Sequence, residues 1–470
     1  MPIPSSILSR TLHYFSAMLR VFYAPLVNKP AMRPNRLLAM RVRVPGVLLA
    51  LSLLLSGCQD TATRQAVEAW AMQLQAVPPA PIQAAPGNRL VIQGTDGNIY
   101  TAAPDGSDAI AYTTDASSRR LYFQPTWSPT GNDIAWSMVD QTATGLENRV
   151  LISDIAGTNL RQYALGAAPF YFSWRPDGQQ IAYLSNASTR GQTTLALGLL
   201  DLTNPEADAA RTVAQGQPLY FSWDPTGARL LVHISETRIE LLQNDDNDDD
   251  NPDGNPEAIA NTNAGFPAPQ WTPDGENIIY ATATPRGRQL LLENLTSGEA
   301  RNLTAYDARI AFDLSPRGDR LAYAISPANA ASSALGPLYV VDVNTRSTRE
   351  LTTAPVLAFF WSPDGEKLAY LATEGVENDD TVQLRLRWYV WDGARSTGYD
   401  TILPSRTFLQ SYLAFFDQYA RSMTIWSPDS TAFAYAGING DNRTGIWVQE
   451  LAADAPQRVA AGVFVAWSPR

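Results

Sequence analysis

One turn motif recurs through most of the chain, and its spacing restricts the fold more than any other feature. It reads Trp127-Ser-Pro-Thr-Gly131, Trp174-Arg-Pro-Asp-Gly178, Trp223-Asp-Pro-Thr-Gly227, Trp271-Thr-Pro-Asp-Gly275, Leu314-Ser-Pro-Arg-Gly318, Trp361-Ser-Pro-Asp-Gly365, Trp426-Ser-Pro-Asp-Ser430 and Trp467-Ser-Pro-Arg470. The intervals are 47, 49, 48, 43, 47, 65 and 41 residues, the period of a propeller or a solenoid. Two residues after each Gly comes an apolar triplet, such as Ile181-Ala-Tyr183 or Leu368-Ala-Tyr370. Proline presets φ for the second turn position and glycine supplies a positive φ, so the chain folds back as a hairpin. A further strand follows in most units, as in Gly445-Ile-Trp-Val-Gln449. Short strands without helical periodicity between them favour propeller blades over helical repeats.

The last motif stops at Arg470, and a Pro-rich stretch upstream ends at Gly87-Asn-Arg-Leu-Val-Ile92. Joined, the two pieces read almost the same as Ser315-Pro-Arg-Gly-Asp-Arg-Leu-Ala-Tyr323. The C-terminal strand is therefore expected to complete the N-terminal blade. The interval across the join is 44, and the eight intervals together span the 384 residues from Gly87 to Arg470. Closure removes the free sheet edges that invite aggregation. These observations predict an all-β fold over 87–470: a single closed propeller of eight four-stranded blades, with seven as the alternative if one unit is degenerate.

The Trp-Ser-Pro-Asp-Gly turns and their Leu-Ala-Tyr strands resemble the WD40-like (PD40) repeats of the TolB-type propeller family, over essentially all of 87–470. The resemblance implies that the strand before each motif Trp is the innermost of its blade. Aromatics there, such as Phe172, Phe221, Phe359, Phe360 and Phe464, are expected to fill space between blades rather than to stack on a ligand. TolB-type proteins carry a separate N-terminal α/β domain and six blades. This chain has neither room nor pattern for that domain, so a Tol–Pal role does not carry over.

Upstream of the repeats, Arg41 and Arg43 precede an apolar run from Val44 to Leu55 and then Leu55-Ser-Gly-Cys58. This is the layout of a secretory signal peptide, and Leu-Ser-Gly-Cys resembles the bacterial lipobox. Cys58 is the only cysteine, so it has no intrachain disulfide partner and is the expected lipidation site. Twelve apolar residues reach about 18 Å, too short to span a membrane. Residues 1–57 are thus expected to be leader and signal peptide, with Met40 a plausible true start. Residues 58–86 then form a tether with a short helix and a Pro-rich spacer. The expected location is extracytoplasmic, lipid-anchored to a bacterial membrane. Residues 1–57 hold seven basic residues and no acid, so their removal leaves 28 Lys and Arg against 46 acids and moves the net charge from −11 to about −18. Such a field excludes nucleic acid as a partner.

Chemistry is sparse. No Gly-x-Ser-x-Gly occurs, and the two histidines are His13 and His233, too few for a Ser-His-Asp hydrolase or a multi-histidine zinc site. The motif aspartates Asp177, Asp274, Asp364 and Asp429 read as turn formers. Within Asn244–Asn255, Asp249, Asn251, Asp253 and Gly254 match the opening of a calcium loop, yet its twelfth position is Ala260. The 65-residue interval holds an insertion between Asp392 and Met423 whose Ser411–Tyr419 stretch is apolar enough to pack rather than dangle, and it is expected to project from one face and carry binding. The sequence thus predicts a monomeric, tethered binding or scaffold propeller for a peptide, protein or glycan, without catalytic residues, metal or cofactor and not an enzyme. The alternative is a carboxylate-based glycan-active enzyme or an accessory subunit of a separate peptidase, which a cluster of buried, perturbed carboxylates would favour.

Overall fold

The computed structural model describes residues 87–470 apart from 190, 205–208, 236, 245–256, 262–263, 286, 327–334, 379–380 and 440–442. Cys58, the tether and most of the acidic 244–255 segment lie outside the described residues. The described chain is almost entirely antiparallel sheet and forms a β-propeller. It contains six four-stranded sheets and one of seven strands, and each begins or ends on a strand leading into a motif turn.

The recurring turn is the unit from which each sheet is built. In seven motifs the fifth residue donates its N–H to the carbonyl of the second, as in Gly318 to Ser315 at 2.8 Å and Gly365 to Ser362 at 2.8 Å. That geometry needs a left-handed residue, and the motif glycines adopt φ of 68–77°. Ser430 takes the place of glycine in one motif and is held at φ 59°. The serine in the second motif position is buried, and its hydroxyl accepts the N–H five residues on, as from Lys367 to Ser362 at 2.9 Å. The sequence Ser-Pro-Asp-Gly therefore satisfies its own polar groups while starting the next strand.

The motif tryptophans tie neighbouring sheets together. Four indole N–H groups reach the carbonyl just before the motif of the preceding unit: Trp223 to Ser173 at 3.1 Å, Trp271 to Ser222 at 3.4 Å, Trp361 to Asp313 at 3.0 Å and Trp426 to Phe360 at 3.0 Å. Trp467 instead donates to Asn88 Oδ1 at 2.6 Å, and the buried Trp174 Nε1 makes no hydrogen bond among the described residues. Trp127 makes the same bond to Ala466 at 3.4 Å, which links residues from opposite ends of the described chain. Strand Leu90–Gly94 pairs with Gly462–Trp467 in the register Leu90 to Trp467. Ser468 donates to Arg89 O at 2.8 Å and accepts from Arg89 N at 2.9 Å, the bonds that Ser315 makes with Arg320 inside the chain. Residue 87 thus meets residue 470, and a broken turn works as an unbroken one.

The seven-stranded sheet departs from the repeat. Strand Ser396–Pro404 leaves one unit and runs into the next, pairing Leu403 with Ile438 and Pro404 with Gly437. The first strand of that next unit is reduced to a single bridge, Trp426 to Phe433. The chain between them forms helices α1 (Arg406–Ser411) and α2 (Phe416–Tyr419). Ser405 caps α1 by accepting from Phe408 N at 3.0 Å.

Candidate functional site

The insertion does not project from the propeller, which corrects the expectation drawn from its length. Phe408, Leu409, Tyr412, Leu413, Phe416 and Tyr419 are all buried, because their partners are the strands that lead into the motif turns. Tyr171 stacks on Tyr419 at 4.6 Å and donates to Gln418 O at 3.0 Å. Phe359 meets Phe416 edge-on at 4.7 Å, Phe360 lies parallel to Tyr412 at 5.7 Å, and Phe464 packs on Tyr412 at 5.8 Å. Thr126 donates to Ser422 O at 3.0 Å, and Arg421 reaches Trp271 O at 3.4 Å. One short segment can touch the leading strands of that many units only from the middle they surround. Several aromatics assigned to packing between blades thus face inward, where this chain's own insertion covers them.

Where the insertion meets the motif turns it builds a polar cluster. Asp313 is the residue before Leu314, the one motif position without tryptophan, and its side chain is 6% exposed. Gln270 donates from Nε2 to Asp313 Oδ1 at 3.3 Å and to Phe312 O at 3.1 Å, while its Oε1 accepts from Leu314 N at 2.8 Å and from Arg421 Nη2 at 3.1 Å. Arg421 Nε stands 3.8 Å from Asp313 Oδ1. Burial pushes the Asp313 carboxyl up to about 6, and Arg421 pulls it back only in part. Asp417, on α2, is half-buried, and burial together with the nearby Asp313 charge also pushes it up to about 6. A carboxyl group poised near neutrality is suited to proton transfer to and from a substrate within its reach.

Asp313 opens onto a cavity of about 370 Å³ at the motif-turn end of the central region. Pro273, Pro316, Pro363 and Pro469 from four turns form its walls, and Leu314 and Arg421 line it beside Asp313. Sequence reasoning missed this site, although a signal was present. Asp313-Leu314 breaks the repeat twice, replacing the tryptophan and placing a charged residue where the other units carry Thr126, Ser173, Ser222, Gln270, Phe360, Ile425 and Ala466.

Residues singled out from the sequence fall elsewhere. The Thr272 and Ser427 hydroxyls hold Asp274 and Asp429 below the usual carboxylate range, within their own turns. His233 is buried with Nδ1 3.1 Å from Pro267 O and its ring 4.6 Å from Phe266, and burial lowers it to about 4. Among the described residues no group of three or more His, Cys, Asp or Glu is arranged to hold a metal ion, and no helix is long and apolar enough to cross a membrane.

The sequence matches no family model and no curated protein. Solved structures do match. The dihydro-heme d1 dehydrogenase NirN, in complex with DHE, aligns with a TM-score of 0.53 at 13% identity, over 84% of this chain and 78% of that one. An oligogalacturonate lyase in complex with manganese gives 0.45 at 15% identity, over 78% and 98%. TolB from Acinetobacter baumannii gives 0.36 at 16% identity, over 73% and 84%. At such identities the likeness is one of fold alone. It nevertheless overturns the expectation that the chain is not an enzyme. An enzyme shares this architecture, and the carboxylate cluster that would favour catalysis is present.

Proposed function

We propose that the protein is a carboxylate-based enzyme acting on a glycan, with the cavity at Asp313 as its site. The observation that carries this is the buried Asp313 carboxyl, raised to about 6 and opening onto the cavity; Asp417, which the Asp313 charge helps to raise, stands outside the cavity lining. A group protonated through mildly acidic pH can donate its proton to the leaving oxygen as the glycosidic bond breaks; a solvent water then adds to the anomeric carbon, and the proton it gives up returns to the Asp313 carboxylate. Arg421 and Gln270 fix the orientation of Asp313 through the contacts described above. The test is release of reducing ends from a panel of envelope and plant polysaccharides. Parent protein should give product, and Asp313→Asn should slow release by about 100-fold or more. Absence of product across the panel, or equal rates in the variant, would overturn the reading.

A second reading, a binding or scaffold propeller for a peptide or protein segment, draws support from the four proline walls and from the insertion filling the middle. Under it, Asp313→Asn alters affinity and no bond is broken.

The proposal extends to architecture and anchoring. A closed ring of eight blades, with seven as the alternative, is supported by the Leu90–Trp467 pairing and by the indole bond from Trp127 to Ala466. The resemblance of its repeats to the TolB-type family is part of this reading. A lipid on Cys58 would tether the monomer outside the cytoplasm, supported by the lipobox-like Leu-Ser-Gly-Cys58. Substitution Cys58→Ala should then shift the protein from membrane to soluble fraction, and unchanged retention would count against the anchor.

A further inference from the structure

A second cleft, apart from the cavity at Asp313, lies between the Trp127 unit and the sheet that holds Leu90–Gly94. It encloses about 550 Å³. One wall comes from strands Arg120–Trp127, Asp133–Thr142, Gly145–Asp154 and Leu160–Leu165, the other from the connection around Tyr112–Asp115. We infer that this cleft binds a neutral, hydroxyl-rich ligand, an oligosaccharide.

The chemistry of the walls selects that class. Arg120 is paired with both Asp115 and Asp140, and Tyr122 donates to Asp115 Oδ1 at 2.7 Å. Arg149 bonds Glu147 at 2.7 Å and Gln162 at 2.8 Å. Both cations of the cleft are thus engaged by its three carboxylates, and every charged side chain in it has an internal partner. An anionic ligand would have to displace an internal carboxylate from Arg120 or Arg149 and leave its charge unpaired, and a cationic one would compete with the two guanidiniums already there. A hydroxyl needs no such exchange, because capacity remains: among the described residues Gln162 Nε2, Glu147 Oε1 and Asp140 Oδ1 make no hydrogen bond. The ion pairs also hold these long side chains in place beforehand, so less rotamer freedom is lost on binding. Leu160 is 47% exposed and lines the same cleft. It supplies the apolar patch that the C–H face of a sugar ring covers, which gives a large exposed side chain a use.

The test titrates the full chain calorimetrically with cellotetraose, maltotetraose and chitotetraose, with tetragalacturonate and tetralysine as charged counterparts. At least one neutral tetrasaccharide should bind, more tightly than either charged probe. Gln162→Ala and Leu160→Ala, both at solvent-facing positions, should each weaken it by about fivefold, the worth of one net hydrogen bond or a comparable apolar contact. Asp313→Asn should leave this affinity unchanged, because the cleft does not rest on the chemistry proposed at Asp313. The inference is overturned if no neutral probe binds at about 5 mM, a concentration that reveals even millimolar affinity. It is equally overturned if a charged probe binds better, or if affinity survives both cleft substitutions. Loss of binding in Asp313→Asn alone would assign the sugar to the cavity, supporting the enzymatic reading and removing this one.

Discussion

The sharpest test of the buried cluster is Asp313→Asn followed as a function of pH. Burial raises the Asp313 carboxyl to about 6, against about 3.9 in an unfolded chain. A group with the higher pKa in the folded state holds its proton more tightly there. Its contribution to stability is complete below about pH 4 and is lost as pH rises through about 6. Two pKa units correspond to about 3 kcal/mol. The variant keeps an oxygen for the Gln270 amide, now 3.3 Å from Asp313 Oδ1, and never acquires the buried charge. The unfolding free energy of the variant should therefore gain on that of the parent by up to about 3 kcal/mol between pH 4 and 7.5, no faster than about 1.4 kcal/mol per pH unit. At about 2 cal/mol/K per residue, a propeller of this length should show a relative gain in Tm of about 4 °C. Scanning calorimetry of both proteins across that range measures the gap. A gap independent of pH, or one that closes as pH rises, would refute the reasoning and make Asp313 an ionised partner of Arg421 throughout.

Tyr412→Ala should cost about 3–5 kcal/mol in urea denaturation, since the ring is fully buried among Phe360, Phe408 and Phe464 and its hydroxyl donates to Met423 O; a cost below about 1 kcal/mol would mean the insertion is not part of the core. For the same reason, excising 406–422 should unfold the propeller or lower its Tm sharply, rather than leave an intact ring without ligand. Trp361→Phe removes the indole bond to Asp313 O at 3.0 Å and should cost about 1–3 kcal/mol, more than Trp127→Phe, whose bond to Ala466 is 3.4 Å. In Gly437→Val a Cβ would stand 2.6 Å from Leu403 O, so hydrogen exchange at Leu403 and Ile438 should accelerate as that junction opens, with a loss of about 1–3 kcal/mol.

The architecture was legible in the sequence because the information that specifies it is local. A Ser-Pro-Asp-Gly turn carries its own φ requirement, its own capping hydroxyl and its own acceptor, so each hairpin follows from about ten consecutive residues wherever it sits. The join between Arg470 and Gly87 was legible for the same reason, since its two halves are recognisable pieces of one local motif. Only the tertiary structure decided the rest. Whether Ser411–Tyr419 hangs outside or fills the middle depends on five other units supplying Thr126, Tyr171, Trp271, Phe359, Phe360 and Phe464, which are spread along the chain. Likewise Asp313, Gln270, Asp417 and Arg421 carry no mutual spacing that a motif could record. Their perturbed protonation comes from burial, and burial belongs to the assembled fold rather than to any segment. What the sequence did hold was an exception to its own repeat, Asp313-Leu314, and the structure gives that exception its meaning.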